Sequence, residues 1–139
     1  MLMRSLGEPF DGIYVDDDRD DQLLFEQAMK DMGFPGTIHF LESAEELFEY
    51  LSRHRSSLPD IIFLDIHLPL MDGLDAFEKI RSDPNLRGII VVLVTGEQSY
   101  TDFVESHQAD IGSSGILCKP LKEKKLQQIL ETYGCWAAA

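Results

Sequence analysis

Residues Ile61-Ile62-Phe63-Leu64 form a run of large apolar side chains that is followed directly by a carboxylate, Asp65. Three further apolar runs also end in polar residues. They are Gly12 to Val15 before Asp16 and Asp17, Ile89 to Val94 before Thr95, and Gly115 to Cys118 before Lys119. Runs rich in Ile, Val and Leu are typical of parallel strands buried on both faces. Because open α/β sheets place their sites beyond the carboxyl ends of the strands, these polar residues are predicted to meet at one sheet edge.

Segments with helical spacing separate the apolar runs. In each segment, apolar residues recur at positions that share one face of a helix. These residues are Phe25, Ala28, Met29 and Met32, then Ala44, Leu47, Phe48 and Leu51, then Leu74, Phe77 and Ile80, and finally Leu126, Ile129, Leu130 and Tyr133. Ser43 with Glu46 predicts a capping box for the second helix, and Ser99 with Asp102 resembles one for a further helix around Tyr100 to Asp110. With a short strand over Thr37 to Leu41, the pattern predicts an α/β fold whose five-stranded parallel sheet is flanked by helices.

Composition limits the possible functions. The chain has 139 residues, which fits one domain with an ordinary core, and its formal charge of −13 argues against a nucleic-acid-binding surface. No apolar stretch approaches the roughly 20 residues needed to cross a bilayer, and residues 1–9 lack the pattern of a secretory signal. Cys118 and Cys135 follow no disulfide or zinc pattern and are expected to be free thiols. A cytoplasmic protein without a nucleic-acid or membrane partner is therefore expected.

The acidic residues after the first run suggest a metal site. Asp16 and Asp17 follow a buried strand, where two close carboxylates repel each other unless a cation or a proton intervenes. Mg²⁺ binds through one or two carboxylates plus phosphate oxygens, so the pair is a candidate magnesium site. Asp65 suits either a third ligand or a nucleophile that forms an aspartyl phosphate. Mg²⁺, Lys119 and the Thr95 hydroxyl would then stabilise the charge on the transferring group. The neighbouring Asp18, Asp20 and Asp21 are interpreted as a solvated loop.

Four segments resemble the signature blocks of the receiver domain of two-component response regulators. They are Tyr14-Val-Asp-Asp-Asp18, Phe63-Leu-Asp-Ile-His-Leu-Pro-Leu-Met-Asp-Gly73, Val92-Leu-Val-Thr-Gly96 and Leu117-Cys-Lys-Pro120. The resemblance implies a stand-alone receiver domain over residues 10–133, with tails over 1–9 and 134–139, and residues 137–139 are candidates for an expression remnant. It also implies the flavodoxin-like (βα)5 topology with strand order 2-1-3-4-5.

The resemblance implies roles for the residues at the strand ends. Asp65 would accept a phosphoryl group from the phosphohistidine of a sensor histidine kinase or a phosphotransfer protein. Asp17 would bind Mg²⁺ directly and Asp16 mainly through water, and Asp65 and the backbone carbonyl of His67 would complete the protein ligands. Thr95 corresponds to the switch hydroxyl that moves toward the phosphoryl group, and Lys119 to the lysine that pairs with that group.

The resemblance also implies how the protein works as a whole. It would be a switch that promotes its own Mg²⁺-dependent phosphotransfer and dephosphorylation, not an enzyme, and phosphorylation would change its binding to a downstream protein. Pro69 and Gly73 would shape the loop after the phosphorylation site, Gly73 because its backbone needs conformational freedom. The peptide between Lys119 and Pro120 is expected to be cis.

Two positions depart from the family pattern. Ile116 stands where many receivers have an aromatic residue that flips inward on activation, so Tyr100 or Phe103 is expected to take part of that role. The side chain of His67 has two interpretations. It is either an exposed bystander, with only its carbonyl in use, or an imidazole that assists hydrolysis of the acyl phosphate.

Three alternatives account for fewer of these residues. A haloacid-dehalogenase-like phosphatase would have an acidic residue two positions after the nucleophile, where His67 stands, and its acidic pair would follow the nucleophile. A pseudo-receiver used only for binding would be expected to lack a site residue, and none is missing. A flavin or nucleotide binder would need a phosphate-cradling loop after the first strand, where the acids over 16–21 would repel phosphate without a metal.

Overall fold

The computed structural model describes residues 10–97, 102 and 115–134. Strands and helices alternate along them: β1 Asp11–Val15, α1 Arg19–Met32, β2 Thr37–Leu41, α2 Ala44–Arg53, β3 Ile61–Asp65, α3 Gly73–Ser82, β4 Ile90–Thr95, β5 Ile116–Cys118 and α4 Glu123–Thr132. The predicted helix around Tyr100 to Asp110 lies outside the described residues, apart from Asp102.

The five strands form one parallel sheet in the order β2-β1-β3-β4-β5, as predicted. Asp65 and Thr95 differ slightly from the prediction, since each is the last residue of its strand and not the first residue of the following loop. The register pairs Val15 with Leu64, Asp65 with Val94, and Thr95 with Cys118. The polar residues at the four strand ends are therefore brought to one edge of the sheet.

Alternate strand residues face two separate apolar clusters, one on each side of the sheet. Ile13, Val15, Ile62 and Leu64 belong to the cluster that contains Leu47 and Leu51 of α2 and Phe77 and Ile80 of α3. Tyr14, Phe63, Val92 and Val94 belong to the cluster that contains Phe25 and Met29 of α1 and Leu126 and Leu130 of α4. Each fully buried large side chain contributes about 1.5–3 kcal/mol. The two layers hold the strand ends in fixed relative positions.

The starts of α1 and α2 are fixed by side-chain caps. The Asp18 carboxylate accepts hydrogen bonds from the backbone N–H groups of Asp20 and Asp21, at 2.9 and 3.3 Å. The interpretation of these acids as a solvated loop is therefore wrong for Asp20 and Asp21, which form the first turn of α1, where acids favour the helix dipole. None of the helices in the described ranges combines the length and the apolar character needed to cross a bilayer.

The predicted capping box of α2 forms only in part. The Ser43 side chain accepts the expected hydrogen bond from the Glu46 N–H at 3.1 Å. The Glu46 carboxylate instead accepts from the N–H of Glu42, at 2.6 Å, one residue before the cap. Two backbone donors are still satisfied, so the helix start is held as the sequence indicates.

Candidate functional site

Three carboxylates meet at the carboxyl ends of β1 and β3. Asp16 and Asp17 follow β1, Asp65 ends β3, and one oxygen of each lies within 4.8 Å of the others. Asp16 is 0% exposed and Asp65 is 3% exposed, whereas Asp17 is exposed. Two buried acids and one at the surface offer oxygen ligands to a hard cation approaching from solvent. The residues present therefore fit a magnesium ion, whose charge would relieve their mutual repulsion.

Asp16 is held by hydrogen bonds on both of its carboxylate oxygens. The hydroxyl of Tyr14 donates to Oδ2 at 2.9 Å, and the backbone N–H of Asp18 donates to Oδ1 at 2.9 Å. Tyr14 is fully buried and stacks on Phe25 with ring centroids 4.2 Å apart. Burial and the charge of Asp16 raise the pKa of Tyr14, so its hydroxyl stays protonated and remains a donor. Sequence reasoning missed this role, although Asp16 follows β1 only two positions after Tyr14, and residues two apart in extended backbone share a face.

Lys119 connects three carboxylates. Its Nζ lies 2.8 Å from Oδ2 of Asp16, Oδ2 of Asp21 and Oδ2 of Asp65. Burial alone would lower the pKa of Lys119, but its hydrogen bonds to these three acids raise that pKa above its usual range. Lys119 is therefore a stable ammonium ion, which donates hydrogen bonds to Asp21 and Asp65 and forms an ion pair with Asp16. The involvement of Asp21, in the first turn of α1, was not predicted.

Asp65 is bound on both oxygens as well. Its Oδ1 accepts from the backbone N–H of His67 at 2.7 Å, and its Oδ2 accepts from Lys119 at 2.8 Å. Burial raises the pKa of Asp65, while the bonds from Lys119 and the His67 N–H oppose the rise. The result is a buried carboxylate beside a fixed positive charge, and this arrangement suits a nucleophile whose product carries added negative charge.

Thr95 and His67 both contact Glu97, which follows β4. Thr95 is fully buried, and its hydroxyl oxygen accepts from the backbone N–H of Glu97 at 3.1 Å. Nε2 of His67 lies 3.5 Å from Oε1 of Glu97, and both side chains are about half exposed. The imidazole of His67 thus spans the loops that follow β3 and β4, at the solvent side of the site.

Gly73 opens α3 directly behind Asp65. A Cβ atom built on Gly73 would lie 2.0 Å from the backbone carbonyl oxygen of Asp65, and the φ of Gly73 is not positive. The prediction that Gly73 provides conformational freedom is therefore wrong, since the glycine is required by close backbone approach. Leu70 is the residue of this loop with a positive φ, of 66°, and Pro69 before it is exposed.

The segment around β5 agrees in part with expectation. The peptide between Lys119 and Pro120 is cis, as predicted, and the N–H of Lys119 donates to the carbonyl oxygen of Thr95 at 2.7 Å. Ile116, at the position where many receivers carry an aromatic residue, is 4% exposed and belongs to the apolar core. Tyr100 and Phe103 lie outside the described residues, so their part in switching stays a prediction.

Comparison with known sequences decides the family. The sequence model of the response regulator receiver domain matches residues 13–131, most of the chain. The chain belongs to this family. The receiver domain is 31% identical over 127 residues to the "Probable methanogenesis regulatory protein FilR2" of Methanothrix harundinacea, a match covering 89% of this chain and 81% of that protein.

Solved structures share the fold of this receiver domain. The bacteriophytochrome response regulator RtBRR matches with a TM-score of 0.82 and 26% identity, over 95% of this chain and 82% of that one. The receiver domain of a sensor histidine kinase from Pseudomonas aeruginosa PAO1, solved with a magnesium ion coordinated in its active-site cleft, matches with a TM-score of 0.72 and 23% identity. That match covers 91% of this chain and 98% of the other.

Proposed function

We propose that this receiver domain, over residues 10–133, accepts a phosphoryl group on Asp65 from the phosphohistidine of a sensor histidine kinase or a phosphotransfer protein. Phosphorylation then changes its binding to a downstream protein. One observation carries the proposal: a buried carboxylate at a strand end lies 2.8 Å from an ammonium group and within 4.8 Å of two further carboxylates. Nucleophile, charge-stabilising cation and metal ligands are thus assembled at one point.

One cycle of phosphoryl transfer and hydrolysis returns the side chains of the site to their starting state. A carboxylate oxygen of Asp65 attacks phosphorus, the P–N bond of the phosphohistidine breaks, and its electron pair returns to the imidazole nitrogen, which takes up a proton from water. Lys119 pairs with the oxygens of the transferred group, and Thr95 gives up its contact with the Glu97 N–H to do the same. Hydrolysis then follows when water attacks phosphorus, which releases inorganic phosphate and restores the Asp65 carboxylate.

Asp16, Asp17, Asp65 and the His67 carbonyl would hold Mg²⁺. When bound, the ion supplies positive charge that offsets the charge of the phosphoryl oxygens. Asp17 is suited to direct contact because it is exposed. Asp16 is suited to contact through water because its oxygens already accept from Tyr14 and Asp18 and pair with Lys119. Two neighbours of the same fold support this choice of ion, the Pseudomonas aeruginosa domain with bound magnesium and Rcp1 in its Mn²⁺-bound form.

Phosphoramidate with Mg²⁺ tests the phosphorylation, because its P–N bond is of the type found in phosphohistidine. We expect one base-labile phosphoryl group per chain, located on Asp65 by peptide mapping. Asp65→Asn should prevent labelling. Asp75→Asn is the matched control, since it removes the charge of an exposed acid in the first turn of α3. An adduct on a serine or a histidine, or full labelling of Asp65→Asn, would contradict the proposal.

A further inference from the structure

We propose that Asp21 sets the balance between cation and anion binding at this site by competing with the phosphoryl group for Lys119. The inference rests on the proposed function and extends it to a residue that lies outside the carboxylate cluster fitted to the metal. That cluster contains Asp16, Asp17 and Asp65 only. Asp21 therefore contributes its charge to the site through Lys119 and not as one of the clustered ligands.

Lys119 contacts three carboxylates at the same distance. Its ammonium group donates hydrogen bonds to Asp21 and Asp65 and forms an ion pair with Asp16, each at 2.8 Å. When Asp65 becomes an acyl phosphate, the phosphoryl oxygens need donors from the same ammonium. Asp21 retains one donor unless its contact breaks, so it competes directly for the group that stabilises the phosphoryl charge.

The position of Asp21 is fixed by the helix start. The Asp18 cap accepts from the Asp21 N–H and anchors the first turn of α1 beside Lys119. The side chains of Asp21 and Lys119 are 27% and 20% exposed, so water screens their contact only in part. Both residues line a cavity of about 250 Å³ that also touches Leu24 and Pro120.

The charge of Asp21 acts in opposite directions on the two ligands of the site. Oδ2 of Asp21 and Oδ2 of Asp65 each lie 2.8 Å from the same nitrogen, so they are at most about 5.6 Å apart. At that separation a negative charge attracts Mg²⁺ and repels an anionic group on Asp65. Removing the charge should weaken cation binding and strengthen anion binding, and general damage to the site cannot produce that pair of effects.

Beryllofluoride, an acyl phosphate analogue, and Mg²⁺ alone are the probes. Calorimetric titrations would give the Mg²⁺ dissociation constant first and then the beryllofluoride dissociation constant at saturating Mg²⁺. For Asp21→Asn we expect Mg²⁺ to bind about threefold more weakly and beryllofluoride about tenfold more tightly, an effect of about 1.4 kcal/mol. Asp21→Glu keeps the charge and should return both constants toward those of the wild type.

Asp20→Asn is the matched control. Asp20 lies in the same helical turn, carries the same charge and is exposed, and no contact joins its side chain to Lys119 among the described residues. We expect both constants to stay within about twofold of wild type. Equal effects of the two variants, unchanged constants in Asp21→Asn, or weaker binding of both probes would overturn the inference. If wild type binds neither probe, the proposed function fails first and the inference falls with it.

Discussion

Replacing Asp17 with Asn is expected to remove most of the stabilisation that Mg²⁺ gives to the folded protein. A ligand that binds only the folded state at tenfold excess over its dissociation constant stabilises that state by about 1.4 kcal/mol. With about 2.1 cal/mol/K of unfolding entropy per residue, a chain of 139 residues has about 0.3 kcal/mol/K. The melting temperature of the wild type should therefore rise by about 5 °C.

Asp17 is the appropriate carboxylate to change. It is exposed, and within the described parts of the chain its side chain makes no hydrogen bond or ion pair, so the metal-free stability of Asp17→Asn should change by less than about 0.5 kcal/mol. Asp16 is fully buried, accepts hydrogen bonds from Tyr14 and Asp18, and forms an ion pair with Lys119. A variant of Asp16 would therefore mix loss of the metal with loss of structure.

The assay is thermal unfolding followed by circular dichroism, first with chelator and then with Mg²⁺. Asp18→Asn is the control, because asparagine also caps helices and the substitution removes a neighbouring charge without removing the cap. The control should keep most of the 5 °C shift, whereas Asp17→Asn should keep about 1 °C or less. The reasoning is refuted if Mg²⁺ leaves the wild-type midpoint unchanged, or if Asp17→Asn keeps the full shift.

Four further outcomes are expected. Lys119→Met should lose about 2 kcal/mol of metal-free stability in a urea titration yet still bind Mg²⁺, because it removes the charge shared by three acids and no metal ligand. Burial raises the pKa of Asp65 above its ordinary 3.8, so the metal-induced melting shift should be complete above that raised pKa and should disappear as pH falls through it. A shift that persists unchanged down to pH 3.8 would contradict this assignment. Gly73→Ala should cost about 3 kcal/mol in the same urea assay, while Gly88→Ala, which has no atom within 4 Å of the added carbon, should cost far less. His67→Ala should change the lifetime of the acyl phosphate by less than about threefold, because the imidazole lies against Glu97, whereas a true general base would give about a hundredfold change.

The strand ends were predictable because buried parallel strands are continuous apolar runs, and each run here is followed by a polar residue. Continuous apolar runs of four to six residues indicated β1, β3 and β4 to within one residue, and the polar residue after each run marked the edge of the sheet. The strand order and the cis peptide before Pro120 came from the resemblance to a family and not from the runs themselves. The run Gly115 to Cys118 likewise indicated the short β5 to within one residue.

The parts that sequence reasoning missed depend on three-dimensional distances. Periodicity does not specify where a helix begins, so Asp21 was assigned to a loop until the Asp18 cap placed it in α1, beside Lys119. Gly73 was given the wrong physical reason because close approach to the Asp65 carbonyl joins two segments that lie eight positions apart. The hydroxyl of Tyr14 was treated as part of an apolar strand, since composition cannot show that a buried donor has an acceptor.

The shortest strand of the sheet carries the lysine on which the site depends. β5 has three residues and, within the described part of the chain, pairs with β4 alone, so it is the strand with the fewest backbone contacts to resist local opening. If β5 frays, Asp16, Asp21 and Asp65 lose their common counterion and are left facing one another. The resulting repulsion between the carboxylates raises the free energy of the frayed state, so their contacts with Lys119 stabilise the edge strand. Amide hydrogen exchange in β5 should therefore be slower than its length suggests, and should accelerate when Lys119 is replaced.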